Sequence, residues 1–263
     1  MRRMYERVLL EAGRTLIRRS HALADSKRYD EQSLVSYVLG ATALRNILKN
    51  DNDRITKVYV VNHNRTELLQ EEVLALARDR GIAIEHDRRY ASVWGSKAQH
   101  ALVGEFEKWD DHLEPGSHVV LVNPALPANA GAIMRSALAF GIRNVAVISS
   151  DFDVFSPSVV RASMGARLDL HAEVFPTLER YRERFPENSC YAFMLDAAEP
   201  LAKVEKRVPY SIVVGNESVG LPPEFSKACQ PVFIEQSGQV DSLNVATATG
   251  IALREFALAT GAV

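Results

Sequence analysis

The chain has 263 residues, of which 47% are hydrophobic and 24% charged, with a formal net charge of −2. Those proportions suit a water-soluble, well-cored protein; no apolar run approaches the roughly 20 residues that span a bilayer, and the near-neutral balance excludes a protein that coats nucleic acid by electrostatics alone. The two cysteines, Cys190 and Cys229, lack CxxC or Cys/His spacing, so neither a disulfide framework nor a metal site is expected, and a cytoplasmic setting is.

Residues 1–33 form a basic extension. The opening MRRMYERVLLEAGRTLIRR has no continuous apolar centre of the kind that marks a secretory signal, and it reads as an amphipathic helix. Arg2, Arg3, Arg7, Arg14, Arg18, Arg19, Lys27 and Arg28 crowd this end. Such a cluster serves either as a solvated helix face or as an RNA-contacting arm.

A small α/β unit is expected over 34–110. Val35, Val38, Leu39, Ala43, Leu44, Ile47 and Leu48 follow a helical spacing, and KVYVVN, ending at Asn62, is β-rich. A second helical pattern runs through Leu68, Leu69, Val73, Leu74 and Ala77, and GIAIEH after Arg80 is a short strand. The polar segment KWDDHLEP, Lys108–Pro115, marks a boundary.

From 116 to 263 the apolar runs HVVLV, NVAVIS, YAFML, SIVVG and PVFIE recur, short and mostly rich in β-branched residues. Such runs suit strands buried on both faces of a parallel sheet. HVVLVN, AGAIMRSALAF and GIRNVAVIS together make a βαβ unit whose helix buries Ile133, Ala137, Leu138 and Phe140 and stops at Gly141. The fold class is therefore α/β, with a larger parallel-sheet domain following a smaller α/β domain.

Three polar, glycine-bearing loops each follow a predicted strand, and ligands of parallel sheets bind at the carboxyl ends of strands. In the first, Asn123–Gly141, Asn129 is placed to cap a helix, Gly131 to admit a close neighbour, and Arg135 to snorkel to water or bind a phosphate or hydroxyl. In the second, Val213–Phe225, Glu217 sits between Gly215 and Gly220, which suits either a surface turn or a site. In the third, Phe233–Leu258, Asp241 or Ser242 caps a long helix and Asn244 lies in its first turn, where N–H groups can hold an anion.

Together these loops resemble the three ordered motifs of the SpoU, or TrmH, family of RNA methyltransferases. Asn129, Gly131, Arg135, Phe140 and Gly141 match the first motif; Gly215, Glu217, Gly220 and Leu221 the second; Ser242, Leu243, Asn244 and Val245 the third. VVRASMGA, 159–166, is similar to the family's Arg-x-Ser-x-Gly-Ala segment. One departure stands out: Glu235 follows Ile234 where the family usually has proline, which would have fixed φ and removed a donor.

The resemblance implies a deep C-terminal trefoil knot, a homodimer formed around it, and S-adenosylmethionine held through backbone groups at Gly215, Ile234 and Leu243. It also implies an N-terminal substrate-binding domain. The implied reaction is methyl transfer to a ribose 2′-hydroxyl of structured RNA, ribosomal RNA ahead of transfer RNA. Arg135 is then the residue at the hydroxyl, either as a base or as a stabiliser of the forming alkoxide and a nearby phosphate. Asn129 and Glu217 orient Arg135 and the ribose, and Ser242 and Asn244 shape the pocket beside the methyl group. Base methylation and a non-catalytic RNA-binding module with a decayed site are the alternatives. A nucleotide-binding oxidoreductase is disfavoured, because no GxGxxG follows the first strand of the larger domain.

Overall fold

The computed structural model describes residues 27–50, 52–62, 68–93, 101–197 and 199–262. Most of the basic N-terminal segment, residues 1–26, lies outside the described residues.

A four-stranded sheet comes first. Its strands are β1 (Val35–Leu39), β2 (Ile55–Val60), β3 (Ala83–His86) and β4 (Leu102–Glu107), in the order β1-β4-β2-β3. Helices α1 (Ala41–Lys49) and α2 (Leu68–Asp79) connect them. The helical reading of 35–48 is corrected at Gly40, whose φ of 93° lies outside the helical region. Val35–Leu39 is a strand paired antiparallel with β4, and only the part after Gly40 is helical. Strand β4 has no apolar run to mark it in the sequence, because Gly104 interrupts it. A Cβ there would lie 2.3 Å from the Leu44 side chain, so the gap admits α1.

A seven-stranded sheet follows, in the order β7-β6-β5-β10-β8-β11-β9, and every pairing is parallel. The strands are β5 (His118–Val122), β6 (Asn144–Ile148), β7 (His171–Phe175), β8 (Ser189–Phe193), β9 (Glu199–Pro200), β10 (Tyr210–Val214) and β11 (Gln230–Phe233). Helices α3 (Pro127–Ala139), α4 (Pro157–Ala162), α5 (Leu178–Arg184), α6 (Phe225–Ala228) and α7 (Val245–Thr260) lie between and after them.

Alternation along the strands divides two cores. Val119, Leu121, Val145, Val147, Ile212 and Val214 pack with α3 and α7 on one face. Val120, Val122, Ala146, Ile148 and Val213 pack with Tyr181, Phe185 and Phe225 on the other. Helix α3 ends as expected at Gly141, with φ 79°. It buries Ala130, Ile133, Met134 and Ala137, while Leu138 and Phe140 are only partly buried.

The two sheets share packing. Val160 and Leu168 belong to the cluster formed by α1 and the first sheet, with Phe155 and Trp109 against it. Arg167 is fully buried there: it bonds Asp111 Oδ2 at 3.0 Å and the carbonyls of Val154 and Leu170. Asp111 also accepts the Ala172 N–H at 2.9 Å, so the segment between the sheets is pinned to β7 and to the turn before it.

At the amino ends of the strands a buried polar network replaces apolar packing. His118 Nδ1 lies 2.8 Å from the Tyr181 hydroxyl and Nε2 lies 2.9 Å from the Glu114 carbonyl. The Tyr181 hydroxyl meets Ser211 Oγ, which also accepts from Asn188 Nδ2. The carbonyl requires a proton on Nε2, leaving Nδ1 to accept from Tyr181. Burial pushes the His118 pKa down, so the ring is neutral in the fold. An unfolded histidine titrates near 6.5, so this contribution is fully present above about pH 6.5 and is lost as pH falls toward the depressed native value. The urea midpoint is therefore expected to fall more steeply from pH 7.5 to 5.5 in the wild type than in His118→Gln; equal slopes would remove His118 from the account.

The absence of a disulfide expected from cysteine spacing is corrected. Parallel pairing sets Tyr191 of β8 against Gln230 of β11, and the preceding residues, Cys190 and Cys229, are disulfide-bonded with Cα atoms 4.7 Å apart. Among the described residues, no group of three or more His, Cys, Asp or Glu side chains is placed to hold a metal ion, and no helix is long and apolar enough to cross a membrane.

Candidate active site at the carboxyl ends of the parallel strands

The chain turns one way from β5 through β6 to β7, then places β10 on the other side of β5. A crevice at such a reversal is where open parallel sheets bind ligands. The loops after β5 and β10 meet there. Asn216 Nδ2 donates to the Asn123 carbonyl at 2.8 Å, and Asn216 Oδ1 accepts from the N–H groups of Ser218 and Val219. Gly215 is required for the turn to close, because a Cβ would lie 2.3–2.5 Å from the backbone of Gly220 and Leu221.

Glu217 reaches from this turn to the start of α3. Its Oε2 accepts the Ala125 N–H at 2.9 Å; its Oε1 accepts the Leu126 N–H at 3.1 Å and Asn129 Nδ2 at 3.0 Å. The helix begins with Pro127 after Leu126, which has no capping side chain, so a carboxylate from another loop serves that end. Asn129 is thus not the N-cap expected from its position. The proline starts the helix three residues earlier than a cap at Asn129 would and leaves Asn129 in the first turn. Burial raises the Glu217 pKa, but the hydrogen bonds from Asn129, Ala125 and Leu126 outweigh it, and the net shift is downward. The carboxylate is ionised at neutral pH.

The third loop joins the same chain of bonds. Asn244 Nδ2 donates to Asn129 Oδ1 at 3.2 Å. Its own Oδ1 accepts the N–H groups of Ala246 and Thr247 at 2.9 and 3.3 Å. Asn244 is therefore the N-cap of α7, a place the sequence reading gave to Asp241 or Ser242. A side-chain oxygen two residues before a free N–H caps as well as a serine would. To reach α3 from β11, residues 234–244 must cross the carboxyl ends of β8 and β10, which lie between. Residues 235–243 make no hydrogen bond among the described residues, so their backbone donors and acceptors remain available.

The other expected site residues fall around this chain of bonds. Arg135 is exposed, on the α3 stripe of Gly131, and has no hydrogen-bond or ion-pair partner among the described residues. Ser242 is exposed, Leu243 half-buried, and Ile234 half-buried against the α3–α7 core. Gly215 lies directly after β10 and Ile234 directly after β11. The structure thus links Asn129, Glu217 and Asn244 directly; it brings Arg135 and Ser242 into no bond with them. The roles of Asn123 and of the Ala125 and Leu126 N–H groups were not legible, since backbone donors leave no mark in a sequence.

Gly131 is explained by packing. A Cβ on it would lie 2.5 Å from Ala162 Cβ and 2.6 Å from the Val159 carbonyl, so α3 and α4 touch through it. Gly131→Ala is expected to cost about 1–3 kcal/mol through overpacking against backbone that cannot yield. A denaturant midpoint unchanged from the wild type would show that the helices can separate freely.

Residues 116–254 match the SpoU rRNA methylase family, which is more than half of the chain. The chain belongs to the SpoU family. An uncharacterized tRNA/rRNA methyltransferase of Synechocystis is 30% identical over 165 residues, covering 62% of this chain and 55% of the relative, so the alignment spans about half of that longer protein. A 23S rRNA (guanosine-2′-O-)-methyltransferase of Acinetobacter baylyi is 25% identical over 238 residues, covering 83% of this chain and 95% of that one. Among solved structures, the SpoU methyltransferase AviRb from Streptomyces viridochromogenes in complex with AdoMet superposes with a TM-score of 0.69. It is 22% identical and covers 84% of this chain and 89% of its own, a likeness of fold. The SpoU family match contains Asn129, Arg135, Glu217, Ser242 and Asn244.

Proposed function

We propose that this SpoU-family protein transfers a methyl group from S-adenosylmethionine to a ribose 2′-hydroxyl in structured RNA, ribosomal RNA ahead of transfer RNA. The observation that carries the reading is the bonded chain Glu217–Asn129–Asn244, which draws all three motif loops to the reversal point of the sheet. The unbonded backbone of 235–243 and the half-buried Ile234 and Leu243 beside it fit a cofactor held through main-chain groups and two apolar contacts. Gly215, Ile234 and Leu243 would hold it, and it supplies an electrophilic methyl on a sulfonium.

The residues of the chain then have to prepare the hydroxyl. A ribose hydroxyl is a poor nucleophile at neutral pH, and its attack must be aligned with the methyl group. Arg135 is exposed, has no partner among the described residues, and offers five N–H donors in a planar fork. In this reading it holds the 2′-oxygen as the hydroxyl proton passes to water, and it binds an adjacent phosphate. Glu217 acts as the fixed strut: ionised, it holds Asn129 and the start of the helix that carries Arg135. Ser242 and Asn244 line the side of the pocket where the methyl is presented.

The same proposal includes a division of labour, with residues 34–110 binding RNA by shape and 116–263 forming the methyltransferase unit. It also includes the knot, supported by the path of residues 234–244 across two strand ends, and a homodimer, supported by the exposed Ile251 and Leu258 of α7. Labelled S-adenosylmethionine incubated with size-fractionated RNA is expected to mark the ribosomal fraction. Label in transfer RNA alone would replace that substrate. Failure of the protein to bind the cofactor in calorimetry would restore the non-catalytic module.

A further inference from the structure

A cleft of about 510 Å³ opens at the amino ends of β8 and β11, away from the strand-end site. That volume falls within the roughly 300–1,000 Å³ of small-molecule sites. Its lining includes both members of the Cys190–Cys229 disulfide. Four cations, Arg182, Lys203, Arg207 and Lys227, line it with two carboxylates, Glu199 and Glu205. Arg207 and Glu205 neutralise one another at 2.7 Å, and Glu199 accepts from Gln230. Lys203 and Lys227 are exposed and have no ion-pair partner among the described residues, so the cleft keeps an excess of positive charge.

We propose that Cys190 and Cys229 form a reversible thiol–disulfide exchange site for an anionic low-molecular-weight disulfide or thiol, which the basic cleft recognises through its carboxylates. The geometry suits the chemistry. The Cα separation of 4.7 Å lies within the range that a disulfide bridges, so the pairing of β8 with β11 itself holds the two cysteines where the bond can form. The cations that line the same cleft favour the thiolate, the reactive form, against the apolar cluster in which both cysteines are buried. The two residues are 9% and 8% exposed and both line the cleft, which is the route the proposal gives to the reagent.

In the oxidising direction, one cysteine thiolate attacks a sulfur of the small disulfide, forming a mixed disulfide and releasing one small thiolate, which takes a proton. The second cysteine, as thiolate, then attacks the protein sulfur of that mixed disulfide. The Cys190–Cys229 bond forms, the second small thiolate leaves, and two electrons have passed from the protein to the reagent. The bond ties β8 to β11, the strand that runs directly into residues 234–244.

The test uses the reduced full-length protein with glutathione disulfide as the anionic probe and 2-hydroxyethyl disulfide as the neutral one. Each rate is normalised to that of a small free thiol. The bond should form faster with the anionic probe, on the order of tenfold, and the preference should shrink with added salt. It should also shrink in Lys203→Ala/Lys227→Ala, whose unfolding midpoint stays unchanged because both side chains are exposed. Cys229→Ser should retain a glutathione adduct on Cys190, visible by mass. Equal normalised rates for the two probes, or thiols that react only after denaturation, would overturn the proposal.

Discussion

Arg135→Ala is expected to reduce methyl transfer by about 10²–10⁴-fold, the range lost when a positioned proton-transfer or charge-stabilising group is removed. Cofactor affinity should be unchanged, because the proposed cofactor contacts lie at Gly215, Ile234 and Leu243. The fold should also be unchanged. Arg135 is exposed and bonded to nothing among the described residues, so its truncation leaves no buried group without a partner. Single-turnover transfer, measured beside cofactor binding, separates these effects. A variant with wild-type turnover would take the hydroxyl-handling role away from Arg135. One that loses cofactor binding as well would show that the side chain shapes the pocket instead.

Asp111→Ala has the largest expected effect on stability. The Arg167 side chain is 0% exposed and Asp111 5%, and their contact at 3.0 Å lies where the two sheets meet. Burial lowers the Arg167 pKa to about 10, against the opposing pull of Asp111, yet the group remains a cation at neutral pH. Removing the carboxylate leaves that charge buried without its counter-ion, which costs about 3–5 kcal/mol. At roughly 2–4 °C per kcal/mol for a chain somewhat smaller than this one, the Tm should fall by about 10 °C. The double variant Asp111→Ala/Arg167→Met should recover part of the loss, since no charge is then stranded. A fall of only a degree or two would show that water reaches the pair.

The parts of the fold legible in the sequence were those with continuous apolar strands. Val119–Val122, Val145–Ile148 and Ile212–Val214 are buried on both faces, and each was recognised as a strand for that reason. Strand β7 leaves no continuous apolar run, because it lies at the sheet edge. Val174 is 41% exposed, and His171 and Glu173 interrupt the run. The apolar spacing of Val35–Leu39 merges with that of α1 into one helical pattern, and only the backbone of Gly40 separates them. The Cys190–Cys229 pairing depends on the register of β8 against β11, which 39 residues of separation conceal.

At the site, three of the motif residues, Glu217, Asn129 and Asn244, are joined by hydrogen bonds, Arg135 and Ser242 are not, and two helix caps differ from the positions that spacing predicts. Asn129 and Asn244 were each placed by sequence position relative to a helix start, and both starts lie elsewhere. What spacing cannot show is that the two asparagines bond each other and that Glu217 closes the chain from a loop 88 residues away.

The central claim is the position of the transferred methyl group. Labelled S-adenosylmethionine should be incubated with the protein and total RNA, and the RNA digested to nucleosides and separated. Label is expected in a 2′-O-methylated nucleoside and is expected to be absent when Arg135→Ala replaces the wild type. Label confined to base-methylated nucleosides, or no label in any RNA, would contradict that claim.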